Sequence, residues 1–260
     1  LSLHDALPIS IGGKMKKKIL LLTFLFCLNQ ITVSAYSQSD LDRLLSTGSC
    51  PNGDLKGAQL KKADLTNANL TGADLSFADL EGAVLESASL EGAKLRKANL
   101  KNAYAGKARL TGADLSLANL RGAAFSRADF SRSKAFRTNF SRAALDFASF
   151  RFAALQEATF DNVNGYFADF GNANLANSWL YGANLRQADF TEANLYNAKM
   201  LNSDLAEANL SRTNLTHALL RNADLSRADL NGAVLDNTNI AGANTDETRF
   251  GNALIENLKK

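Results

Sequence analysis

Cysteine and histidine are nearly missing from this 260-residue chain, with two of each. Cys50 and His217 are the single examples of their kind beyond residue 35. With one cysteine there, that stretch can close no disulfide of its own and build no cysteine zinc site. With one histidine, neither a Cys–His pair nor a histidine-bearing serine triad is credible unless His217 acts alone. A glycine-rich phosphate loop and a metal-spaced cluster are also missing. Aspartate, asparagine and serine are plentiful, but they recur at fixed spacing, so no catalytic carboxylate pair stands out from the ladder. The composition points away from an enzyme and implies no cofactor or metal.

Long apolar runs are scarce too. The longest, "ILLLTFLFCLNQI", follows Met15 and Lys16–Lys18 and precedes "TVSA", which ends at Ala35. A basic start, an apolar middle and small residues at the end form a secretory leader. The run falls short of the roughly 20 apolar residues of a membrane span. A lipid anchor on Cys27 is disfavoured, because Phe26 stands where a small residue is required. Leu1–Ile9 resembles the conceptual translation of a sequencing adapter. Residues 1–14 are therefore expected to be a non-native extension and 15–35 a signal peptide, leaving an exported periplasmic or extracellular chain. Residues 36–260 hold 25 basic and 25 acidic side chains. The formal charge of +3 thus belongs to the leader, and net charge argues for no nucleic-acid partner.

What the chain does have is a period of five. Of the 41 positions divisible by five from Leu55 to Ile255, 37 are Leu, Phe, Ile or Met. Alanine stands two places earlier in 32 of the 41, and Asp or Asn one place earlier in 23. A helix would turn the leucine by about 140° per repeat and wrap it around every side. A straight strand would flip it to the opposite face at each repeat, since five is odd. Both objections vanish if the backbone turns a corner in every repeat. Alanine and leucine then face inward, Asp or Asn faces outward, and the next two residues make the corner. Gly or Asn fills the second corner place in about half the repeats, as a left-handed backbone favours. Four sides close a square coil of 20 residues, and about ten coils stacked at roughly 4.8 Å give a rod of roughly 50 Å. Phe130, Phe150, Phe170 and Phe190 lie 20 apart and should form one core column, with Phe140 and Phe160 opposite.

This A-(D/N)-L-X-X pattern resembles the pentapeptide-repeat family. The resemblance covers residues 53–257 and implies an all-β solenoid, a right-handed quadrilateral β-helix. Residues 36–52 read as a capping segment, with a short helix beginning at Ser39 or Asp40 that buries Leu41, Leu44 and Leu45. Residues 258–260 are a tail, and a second copy of the chain is expected to cover the last coil. Some family members protect DNA gyrase by imitating duplex DNA. That reading is an alternative here, opposed by the neutral charge, the basic middle and the leader. Some exported members carry two cysteines before the first repeats; here Gly53 stands in place of the second, leaving Cys50 for an inter-chain disulfide.

The pattern breaks at Ala105, Ala135 and Gly165, each beside an aromatic residue: Tyr104, Phe136 and Tyr166. A bulge turning that ring into the gap is the expectation; the other reading is an exposed ring for a partner. Phe147, Phe152, Phe167, Trp179, Tyr181 and Tyr196 occupy outward slots, with Phe147 and Phe167 in one column below Arg127. Residues 94–151 carry 13 basic and 3 acidic side chains, against 8 and 13 in residues 152–260. Arg127, Arg132, Arg137 and Arg142 fall on four different faces. The expected function is a non-catalytic structural or binding module whose partner is a protein or an anionic surface.

Overall fold

The structure is a computed structural model that describes residues 36–259. The expected extension and leader lie outside the described residues. From Ser49 onward the backbone repeats every five residues, a two-residue turn followed by a bridge, without a slip. Parallel bridges run from Ser49↔Asn69 to Asn239↔Lys259, each pairing residues 20 apart. Four five-residue sides therefore make one turn of a quadrilateral β-helix.

Hydrogen bonding explains why the unit is five residues long, and the repeat beginning at Leu60 shows it. The Leu60 N–H donates to the carbonyl of Asp79 at 2.8 Å and the Lys62 N–H to that of Glu81 at 2.9 Å, both in the next coil. Ala63 N–H closes the turn onto the Leu60 carbonyl at 3.0 Å. One repeat further on, the Asn69 N–H donates to Gly48 in the preceding coil at 2.9 Å. The first turn residue is left without a backbone acceptor, and here Asp or Asn enters. Asp64 Oδ1 accepts the Thr66 N–H at 3.1 Å, and Asn69, Asp74 and Asp79 do the same two residues on. The Asp/Asn position is an Asx cap of the turn as well as an outward face.

Lys62 has φ of 57°, and the equivalent second turn residue is left-handed in repeat after repeat. In the four-residue turn Leu60–Ala63 a positive φ at this residue, the third of the four, and not at the one before it matches a type II turn. Arg127, Arg132, Arg137, Arg142, Phe147, Phe152 and Phe167 all hold this conformation, which costs a non-glycine residue roughly 1 kcal/mol. The stacked coils over-determine it.

Inside, the centres and alanines form one continuous buried cluster. Phe130, Phe150, Phe170 and Phe190 stack at 4.7, 4.9 and 4.8 Å with rings within 4° of parallel. Phe140 and Phe160 stack at 4.7 Å in a facing column and meet the first edge to face at 5.6–5.8 Å. In the alanine slot some hydroxyls turn back to a carbonyl, as Ser203 does to Met200 at 2.7 Å, whereas Ser133 and Ser178 are buried there without a hydrogen-bond partner among the described residues.

The expected bulges do not occur. Bridges continue through Tyr104↔Ala124, Lys134↔Ala154 and Asn164↔Asn184, and Tyr104 and Phe136 are exposed. At Gly165 the neighbouring coil closes the gap, Leu185 Cδ2 lying 3.0 Å from where a Cβ would sit. No ring is needed inside.

Before the coils, helix α1 spans Gln38–Thr47 and ends on Gly48. Its N-cap is Ser37, whose side chain accepts the Asp40 N–H, so the start expected at Ser39 or Asp40 is displaced. Asp40 serves elsewhere, pairing with Arg43 at 2.7 Å and accepting the Asp54 N–H at 2.9 Å. Leu41 and Leu44 are buried, whereas Leu45 is half-exposed. Cys50 is fully buried, with the Arg43 guanidinium 3.2 Å from Sγ. Another chain cannot reach that sulfur, so the expected inter-chain disulfide is not supported. At the far end Leu254 and Ile255 are exposed beside Phe250.

Candidate functional site

Outward side chains 20 residues apart in sequence are neighbours in space, so each corner and face is a column. One column places Arg127, Phe147 and Phe167 in succession. The Arg127 guanidinium lies 5.2 Å from the Phe147 centroid, and Phe147 stacks on Phe167 at 5.3 Å. Tyr166 packs edge-on against both rings, at 6.1 and 4.4 Å. Phe147 and Phe167 remain 48% and 44% exposed. Asp146, beside this cluster, has its carboxyl pushed above the usual carboxylate range by burial, despite a hydrogen bond from the Tyr166 backbone.

The next corner repeats the motif. Arg132 and Arg151 lie over Phe152 at 5.9 and 5.5 Å. At a third, Arg137 covers Phe136 at 5.0 Å and pairs with Glu157 at 2.6 Å. Arg142 is exposed on the fourth. Among the described residues Arg127, Arg132 and Arg142 have no ion-pair partner, whereas beyond the band Arg186, Arg212 and Arg227 are each paired with a glutamate. The four arginines are thus not one patch but four corners of the same coils. Phe77, exposed between Lys56 and Lys97 at 5.9 and 5.3 Å, is another cation–ring site, with no expectation attached to it.

Trp179 stands on a flat face rather than a corner. It occupies an Asx slot, bridged to Thr159 below and Lys199 above. A groove of about 510 Å³ runs beside it, lined by Arg137, Glu157, Thr159, Asn177, Trp179, Asn197 and Lys199. Tyr181 is exposed at the corner that follows. Residues alike modulo 20 meet in this groove; by residue type alone only Arg137 and Trp179 of its lining stand out in the sequence. His217 is exposed, its ring edge-on to Tyr196 at 5.5 Å. Among the described residues no group of three His, Cys, Asp or Glu side chains could hold a metal, and no helix is long and apolar enough to cross a membrane.

Comparison with known proteins fits this geometry. A model described as "Pentapeptide repeats" matches eight copies, over residues 54–86, 85–122, 98–134, 123–162, 168–205 and 208–244. The chain belongs to the pentapeptide repeat family. Its quadrilateral β-helix takes the right-handed sense of that family. HetL, a pentapeptide repeat protein involved in heterocyst differentiation regulation in Nostoc sp. strain PCC 7120, is 31% identical over 78% of this chain and 89% of its own, with a TM-score of 0.44. Trypsin-treated QnrB1, a plasmid-mediated fluoroquinolone resistance protein, is 22% identical over 68% and 90%, with a TM-score of 0.41. No curated protein sequence is significantly similar. Pentapeptide repeat proteins are generally structural or binding modules.

Proposed function

We propose that this chain is an exported, non-catalytic binding module that docks on an anionic surface through the corners between Arg127 and Phe167. The observation that carries the reading is the state of Arg127, Arg132 and Arg142. They stand exposed without ion-pair partners among the described residues, and two of them are held over phenylalanine rings. An unpaired guanidinium fixed by a ring keeps its charge available and has less side-chain freedom to lose on binding. Export rests on the leader pattern of residues 15–35. In the same reading α1 caps the first of about ten coils, with Leu41 and Leu44 covering an edge that would otherwise recruit other strands.

Retention on heparin–agarose across a salt gradient tests the reading. The triple variant Arg127→Ala/Arg132→Ala/Arg142→Ala should elute at lower salt than wild type. A control removing the paired Arg186, Arg212 and Arg227 should elute close to wild type. Retention indifferent to salt, or equal loss in both variants, overturns the proposal, because exposed charges are screened.

A further inference from the structure

The groove beside Trp179 is built differently from the arginine corners. An Asx slot supplies the acceptor for the turn that follows, and tryptophan cannot. That turn is rescued from the coil below, where Asp161 Oδ1 accepts the Tyr181 N–H at 3.0 Å. Trp179 thus gives up the standard cap, a second residue replaces it, and a ring 44% exposed stands in a groove whose other lining residues are polar. The bridge partner below is Thr159, which lines the groove together with the indole. Around the ring the polar groups are already held in place. Asn197 Nδ2 donates to Asn177 Oδ1 at 2.8 Å, and Arg137 and Glu157 hold each other at 2.6 Å. Lys199 Nζ lies 5.4 Å from the indole centroid and has no ion-pair partner among the described residues.

A flat aromatic platform rimmed by amides, a carboxylate and cations suits a ligand with one apolar face and a ring of hydroxyls. A pyranose with equatorial substituents has that form. Its axial C–H groups can lie on the indole, while its hydroxyls meet Asn177, Asn197 and Glu157. The unpaired Lys199 adds a point charge for a carboxylate. We infer that the Trp179 groove binds a uronate-bearing saccharide, one ring stacked on the indole and its carboxylate on Lys199. The inference rests on the anionic-surface reading and names the chemistry of that surface as an acidic polysaccharide.

Trp179 is the only tryptophan of the chain, so all indole fluorescence reports from this groove. The full chain is titrated with a hyaluronan tetrasaccharide and, as the neutral counterpart, chitotetraose, with calorimetry as a second readout. The acidic tetrasaccharide should change the emission saturably. Lys199→Met should weaken it by about two- to fivefold and leave chitotetraose unaffected. Trp179→Ala, followed by calorimetry, should lose about tenfold or more while keeping the thermal transition. Unchanged emission and heat with both sugars overturn the inference, and so does undiminished binding by Trp179→Ala. Equal binding of chitotetraose removes the uronate assignment. Equal quenching by an acidic decapeptide reassigns the groove to a protein partner. The two readings separate cleanly. If heparin retention stays salt-sensitive without a fluorescence response, the groove reading falls; if the tetrasaccharide binds without such retention, the arginine corners fall.

Discussion

Asp161 accepts the backbone N–H of Tyr181 from the coil above it, at 3.0 Å. The two residues are 20 apart, and the contact replaces an intra-repeat cap that Trp179 cannot give. Asp161→Ala should leave that N–H without its acceptor and cost about 1 kcal/mol, a fall in Tm of roughly 2–4 °C for a chain this size. Asp161→Asn keeps an acceptor oxygen and should cost less than half as much by calorimetry at neutral pH.

Acid should act on two aspartates in opposite directions. The Asp224 carboxyl is held below its usual range, first by the Ser226 hydroxyl and then by the Ser226 backbone N–H, against a smaller opposing effect of burial. A lowered folded pKa means stability present above the unfolded value and lost as pH falls through the folded one. Asp161 is raised by burial, with the Tyr181 N–H opposing, so its folded state takes up a proton first and gains stability as pH falls. Melting from neutral pH down to about pH 3 should show the advantage of wild type over Asp224→Asn shrinking. Its advantage over Asp161→Asn should grow. Parallel curves would contradict both assignments.

Phe150 sits between Phe130 and Phe170 in the core column, at 4.7 and 4.9 Å. Truncation to alanine should cost about 3–5 kcal/mol, while Phe150→Leu, which many other centres already carry, should cost under about 1.5 kcal/mol. Because each coil touches only its neighbours, the alanine variant should also broaden the thermal transition, as its two halves lose cooperativity.

Two glycines should respond to alanine for unrelated reasons. Gly92 has φ of +63° and nothing within 4 Å of where a Cβ would lie, so Gly92→Ala pays only backbone strain, about 1 kcal/mol. A Cβ on Gly53 would fall 2.1 Å from the buried Sγ of Cys50. That sulfur is fully buried and the Cys50 carbonyl follows at 3.2 Å, so Gly53→Ala should cost clearly more, and Cys50→Ala should relieve most of it. Urea denaturation of the two singles and the Cys50→Ala/Gly53→Ala double separates the cases.

The period of five was enough to place the corners, the core columns and the meeting of residues 20 apart, because a side-chain period incompatible with helix and strand leaves few backbones open. The role of Asp and Asn was not legible from frequency. It emerges only when each N–H in the repeat is given its partner and that of residues such as Thr66 is left over. The bulges expected at Ala105, Ala135 and Gly165 assumed that a gap must be filled from its own repeat, whereas side chains such as Leu185 fill it from a neighbouring coil. The helix start was misplaced because Ser37, Ser39 and Asp40 are all competent caps, and the choice depends on Asp40 being taken by Arg43 and Asp54. For the groove, Trp179 was visible, but Lys199, Glu157 and Asn177 looked like ordinary slots of separate repeats.

Twenty-residue pairing makes the surface sensitive to the arithmetic of insertion. Adding one five-residue unit after Arg142 would leave every buried leucine buried and every turn intact, yet rotate all later faces by a quarter turn. Phe147 would lose its place over Arg127 and Glu157 its reach to Arg137, and inside the rod Phe150 would leave Phe130 and Phe160 would leave Phe140. Adding twenty residues would return every side chain to its own column, one coil further along the stack. Length changes in this chain are therefore silent in one modulus and disruptive in the other.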